Sequence, residues 1–194
     1  MKKVRVWGID ISTMTGIVTA DLVEGTPKIR EILTVKHGKH DVPIERATMF
    51  GDDVLELLDR DGTPDLVLIE GYATGSRGMS TQIIEVSAII KFCLNAKGID
   101  WIEIPPNTLK VFASNNGQAK KDLMLKQVYK LWGADLDDDN QADAYALMMM
   151  GMNLLGVDCV PEKHTRCWDK IRPHVDFVRN LERLNKLQLV ANSD

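Results

Sequence analysis

The chain has 194 residues, enough for one α/β domain with an appendage or for two small domains. With 44% hydrophobic and 27% charged residues it is a globular composition, which excludes a disordered or fibrous chain, and its longest apolar stretch, around residues 144–150, is far short of a membrane span. Net charge is −4, from 28 acidic and 24 basic residues, which on its sum argues against a nucleic-acid binder.

In chain order, Val4 to Asp10 alternates and is rich in β-formers, so it is expected to be a strand. Residues 16–22 follow a Ser-Thr-Met-Thr turn as a second strand, and residues 28–35 alternate after Pro27 as a third. Two antiparallel hairpins are the economical reading. Apolar residues then recur at three and four from Pro43 to Leu58, predicting a helix opened by Pro43. Leu66-Val67-Leu68-Ile69 is a continuous apolar run, as in a strand covered on both faces. A helix over residues 81–96 and a short strand over 99–104 follow, stopped by Pro105-Pro106. Asn107 can cap a short helix running through Phe112. Helices are predicted over 120–132 and 141–155, a linker over 162–168, and an amphipathic helix over 173–189 with Val175, Val178, Leu181, Leu184 and Leu187 on one face. The order suggests a mixed five-stranded α/β sheet with its first three strands antiparallel and helices on its faces. Residues 1–160 are expected to form that domain, and 161–194 a linker and C-terminal helix. The N-terminus has no signal-peptide core, and three scattered cysteines suit a reducing cytoplasm.

Charge is unevenly distributed. Residues 105–134 hold five lysines and one aspartate, a balance of +4, and residues 135–143 then hold five aspartates and no base. Such a junction suits a solvated loop beside a solvated helix face, or a metal-binding carboxylate cluster beside a phosphate-binding surface.

Asp10 ends the first strand and Glu70 ends the fourth. Packing alone does not ask for an acid at the end of a buried strand, because burying an unpaired carboxylate is costly. If the two strands are neighbours, both carboxylates emerge where ligand crevices form in α/β sheets. In the acidic knot, Asp139 and Asn140 precede Asp143 by four and three residues, one helical turn, so all three can share a face. One aspartate of the run is expected to cap the helix, while Asp143 sits among apolar residues where capping does not explain it. Converging oxygen ligands without His or Cys suit Mg²⁺ or Mn²⁺. Two such ions about 3.5–4 Å apart can activate water and stabilise a leaving 3′ oxygen in phosphodiester hydrolysis.

These residues also carry a resemblance. Val6-Trp7-Gly8-Ile9-Asp10 with Thr15-Gly16, Leu68-Ile69-Glu70-Gly71-Tyr72, and Asn140-Gln141-Ala142-Asp143-Ala144-Tyr145-Ala146-Leu147 resemble the acidic motifs of RuvC-type Holliday-junction resolvases, in particular their phage-encoded relatives. Pro106 to Lys110 and Gly117 to Lys121 are similar to that family's basic segment. The resemblance covers roughly residues 3–151. It implies an RNase H-like fold, a homodimer acting in the cytoplasm, divalent metals bound by Asp10, Glu70 and Asp143, and paired nicking of four-way DNA junctions.

One departure stands out. The family presents two aspartates three residues apart on the last helix, and here the earlier position is Asn140. Either Asp139 substitutes as ligand, or Asn140 binds as a neutral oxygen, or Asp143 aligns with the earlier acid and Ala146 with the later. On this resemblance Lys110, Lys120 and Lys121 are expected to contact phosphates, one of them, with Lys120 the choice, stabilising charge at the scissile phosphate. Tyr72 is either a base-stacking platform or a partly buried loop aromatic, and Arg77 is either a phosphate grip or an ordinary loop residue. Cys159, His164, Cys167 and His174 offer four possible zinc ligands at a spacing that fits no common finger. A silent DNA-binding protein of this fold is the alternative reading. An actin-like phosphotransferase also ends a strand in Asp before Ser/Thr, but needs two duplicated domains for which 194 residues leave no room.

Overall fold

The first strand is apolar on both faces, and the fold shows why. In the computed structural model, which describes residues 3–38, 42–72 and 80–191, β1 (Lys3–Asp10) is buried along its whole length after Lys3. It pairs antiparallel with β2 (Thr15–Val23), which pairs antiparallel with β3 (Thr26–Val35). On its other side it runs parallel to β4 (Leu66–Glu70), which runs parallel to β5 (Trp101–Ile104). The sheet order is β3-β2-β1-β4-β5, the mixed five-stranded sheet expected.

Because side chains alternate across a strand, parity sorts the core into two. Trp7, Ile9, Ile17, Val67 and Ile69 pack under α1 (Pro43–Asp61) and α2 (Thr81–Ala96). Val4, Val6, Val18, Leu66, Leu68 and Ile102 face α3 (Pro106–Ser114), α4 (Lys121–Trp132) and α5 (Asp139–Leu154). By the same parity Asp10 and Glu70 project to the α5 side.

Two glycines let α5 lie against the backbone of the sheet. A Cβ on Gly8 would stand 2.1 Å from the Ala144 carbonyl oxygen, and one on Gly16 would stand 2.2 Å from that of Asn140. With alanines at 142, 144 and 146 on its own surface, α5 is buried nearly all round, as its even distribution of apolar residues requires.

Three local expectations are corrected. Asn107 is not a cap: Pro105 takes that place, and Pro106 enters the first turn of α3, where its missing N–H costs nothing. The segment expected as a linker instead forms α6 (Glu162–Thr165) and α7 (Trp168–Ile171), because the His164 ring meets the Phe112 carbonyl at 2.6 Å and Trp168 Nε1 donates to Asn153 Oδ1 at 2.8 Å. The last helix, α8 (Val175–Ala191), buries Phe177, Asn180 and Leu184, leaving Val175, Val178 and Leu181 exposed. Its docking is set partly by polar groups that an apolar pattern does not register: Asn180 Nδ2 donates to the Trp101 carbonyl of edge strand β5 at 3.3 Å, and Arg179 pairs with Asp100 at 2.6 Å. No helix among the described residues is long and apolar enough to cross a membrane.

Candidate metal centre

The sheet register brings Asp10 and Glu70 side by side. Ile9 and Ile69 are partners in the parallel β1–β4 pair, so the acids that follow them emerge together at the strands' carboxyl ends. Asp143 arrives from the second turn of α5, held there by the close approach of Ala144 to Gly8. One carboxylate oxygen from each of Asp10, Glu70 and Asp143 lies within 4.8 Å of the others.

Burial and mutual repulsion make this trio resist ionisation. Burial first, then the Glu70 charge, pushes the Asp10 carboxyl well above its ordinary range, and the two side chains share a hydrogen bond. Burial also raises Glu70, against the pull of Asp10's hydrogen bond and of Lys110 and Lys121. Asp143 is pushed up to about 7, by burial and then by Glu70. Its Oδ1 is buried with no hydrogen-bond partner, a state that costs on the order of 1–3 kcal/mol and that a cation would relieve. Three convergent carboxylates with an orphaned oxygen therefore fit a hard divalent ion.

The acids line a cleft of about 460 Å³ with Lys110, Lys121 and Tyr72 on its walls. Asp139 and Asn140 line it too, with other partners. The Lys121 ammonium engages the Asp139 carboxylate, and Asn140 Oδ1 lies 3.2 Å from Ser12 Oγ. The expected capping aspartate is Asp138, which accepts from the Gln141 N–H at 2.8 Å. Lys120 and Lys121 are both exposed, Lys120 at the N-cap of α4 and Lys121 on the wall of the cleft. Arg77 lies outside the described residues.

Tyr72, 39% exposed, has the Lys91 ammonium 4.7 Å from its ring centre, and Lys91 is held by Glu103 at 2.8 Å. Neither Lys91 nor Ser12 was singled out from the sequence. Ser12 had a signal in its position two residues after Asp10; Lys91, on the middle of α2, had none. The possible zinc ligands do not gather among the described residues: His164 is spent on Phe112, Cys159 Sγ contacts the Met149 carbonyl at 3.6 Å, and burial pushes the Cys159 and Cys167 thiols up to about 12.

No protein-family model matches the chain. Over 105 residues it is 26% identical to the crossover junction endodeoxyribonuclease RuvC of Brachyspira hyodysenteriae, a match spanning 54% of this chain and 66% of that relative's length. Its fold is similar to Thermus thermophilus RuvC, with a TM-score of 0.62 at 21% identity over 76% of this chain and 92% of the other. A structure of T. thermophilus RuvC in complex with Holliday junction substrate gives a TM-score of 0.65 at 20% identity, with the same coverage of both chains. The yeast mitochondrial Holliday junction resolvase Ydc2 gives 0.53 at 13% identity, over 92% of this chain and 84% of the other.

Proposed function

We propose that this chain, a homologue of the RuvC-type resolvases in sequence and in fold, is a metal-dependent endonuclease that resolves four-way and related branched DNA by paired phosphodiester hydrolysis. The observation that carries this reading is the buried trio Asp10, Glu70 and Asp143, with the unpartnered Asp143 oxygen, at the carboxyl ends of β1 and β4. These residues would hold two Mg²⁺ or Mn²⁺ ions. Bound there, the ions supply an activated water and a clamp for the leaving 3′ oxygen.

The chain's own side chains do the rest. Lys110 and Lys121 place positive charge on the wall of the cleft, where it attracts and orients a phosphate. Lys120, exposed beside them, and Arg77 extend the backbone contacts. Tyr72 offers the ring face away from Lys91 to an unpaired base at the junction centre, and the Lys91–Glu103 pair holds that ring in place. A homodimer supplies the second active site for the opposite strand. Its surface is α2, where Ile84, Ala88 and Phe92 form an exposed apolar stripe at four-residue spacing, Phe92 being 67% exposed.

The test compares a synthetic four-way junction with a linear duplex of the same sequence. Wild type should nick the junction in Mg²⁺ and spare the duplex, while Asp10→Asn and Glu70→Gln should lose nicking and keep the gel-shifted complex. A near wild-type rate in either variant would sink the assignment. Junction binding by wild type without cleavage in any divalent ion would favour the silent DNA-binding reading instead.

A further inference from the structure

The position that the motif resemblance expects to be a fourth acid has a different occupation here. Asn140 sits in the first turn of α5, and its side-chain oxygen is 3.2 Å from the Ser12 hydroxyl. That hydroxyl has one proton, shared between the Asn140 oxygen and the Met14 carbonyl at 2.9 Å, and it accepts from the Met14 N–H at 3.0 Å, so it belongs to the tight turn joining β1 to β2. Two residues earlier Asp138, the cap of α5, accepts from Thr34 Oγ1 on β3 at 2.7 Å and ties the same helix end to the sheet. The Asn140 backbone presses on β2, its carbonyl 2.2 Å from where a Gly16 Cβ would be.

Thr34, Gly16 and Asp10 occupy one row across the sheet, Gly16 being the register partner of both others. Asn140 therefore ties the N-terminus of α5 to the same row that carries Asp10, three residues before α5 delivers Asp143. Asp139 has a different partner, the Lys121 ammonium.

We infer that Asn140 is a positioning residue: through Ser12 and its backbone seat on Gly16 it sets the separation of Asp10 and Asp143, and it does not ligate the metal. The inference rests on the reading of Asp10, Glu70 and Asp143 as the metal centre.

Mn²⁺ titration by calorimetry and metal-free thermal unfolding of the full chain test this, using wild type, Ser12→Ala, Ser12→Thr, Asn140→Ala, Asn140→Asp and the Ser12→Ala/Asn140→Ala double variant. Loss of an outer-shell partner typically costs 10–100-fold in metal affinity. Ser12→Ala and Asn140→Ala should each weaken Mn²⁺ binding about tenfold, and the double variant should be no weaker than the poorer single one. Ser12→Thr, which keeps the hydroxyl, should bind within about twofold of wild type. Asn140→Asp should gain no affinity and should melt lower without metal, its new charge joining the carboxylates that line the same cleft. If Asn140→Asp binds Mn²⁺ tenfold tighter, or Ser12→Ala binds and melts as wild type does, the inference is overturned while the metal centre stands. If wild type binds no Mn²⁺, or Asp10→Asn binds it as tightly as wild type, the metal-centre reading falls and takes this one with it.

Discussion

Removing one negative charge from the carboxylate trio should make the metal-free protein more stable while destroying its activity. Asp143 carries the argument because its carboxyl is raised from 3.8 to about 7, by burial and by Glu70. A native-state value above the unfolded one means the folded protein holds the proton more tightly. Stability is therefore complete below pH 4, is lost as the pH rises, and reaches its minimum contribution above about pH 7. At 1.36 kcal/mol per pH step, the full penalty at pH 8 is on the order of 4 kcal/mol. Relaxation and water entry reduce that to about 2 kcal/mol. Asp143→Asn removes the charge at constant shape. Its melting temperature in EDTA at pH 8 should exceed wild type by about 4–8 °C, the range a chain of this size shows for that energy. The gap should close as the buffer is taken to pH 4. Millimolar Mg²⁺ should raise the wild-type melting temperature at pH 8 and leave that of the variant nearly unmoved, since only a bound ion stabilises. An Asp143→Asn protein that melts at or below wild type at pH 8 would refute the claim that these carboxylates repel one another in the fold.

Gly8→Ala should force α5 back by about 1 Å, because the new methyl would meet the Ala144 carbonyl oxygen at 2.1 Å. A loss of about 1–3 kcal/mol in urea unfolding should accompany a roughly 100-fold slower nicking rate, and nicking at the wild-type rate would show that the approach of α5 does not place Asp143. At the opposite end of β1, Asp21 meets Arg5 at 2.8 Å, Lys3 at 3.1 Å and Arg30 at 3.4 Å. Burial works upward on Asp21, but hydrogen bonds from Arg5 and Lys3 outweigh it and hold the carboxyl below its ordinary value, so its contribution to stability is present above the unfolded value and lost as pH falls through the lowered one. Asp21→Asn should cost about 1–3 kcal/mol at pH 7, since Arg5 loses its nearer carboxylate and keeps Asp61 at 3.8 Å; an unchanged urea midpoint would contradict this. Phe92→Asp should convert a dimer to a monomer in sedimentation velocity without changing the unfolding midpoint of the monomer, and a dimer that survives the substitution would exclude α2 as its surface.

Part of the site was legible before the fold because the end of a strand is a local property. Asp10 and Glu70 could be read as acids closing two apolar strands, whereas their place on one side of the sheet needed the parallel register of β1 with β4. The cap in the aspartate run was equally local. The face α8 presents was not, since Asn180 docks it on a carbonyl of β5 and hydrophobicity is blind to that bond. Nor could spacing decide among Asp139, Asn140 and Asp143, which share a helical face but meet different partners: Lys121 takes the first, Ser12 the second, and the carboxylate pair of β1 and β4 the third.

By itself, then, the chain's order of residues determined the strands, the longer helices, the acid at the end of each central strand and the basic stretch before the acidic knot. These follow from φ/ψ sterics, side-chain alternation and capping, which act over a few residues. What the tertiary structure decided is that residues 10, 70 and 143 meet within 4.8 Å, and that Asn140 braces the site from beside it. That meeting depends on the parallel register of β1 with β4 and on a helix pressed against two glycines, contacts between residues more than fifty positions apart that no local rule encodes.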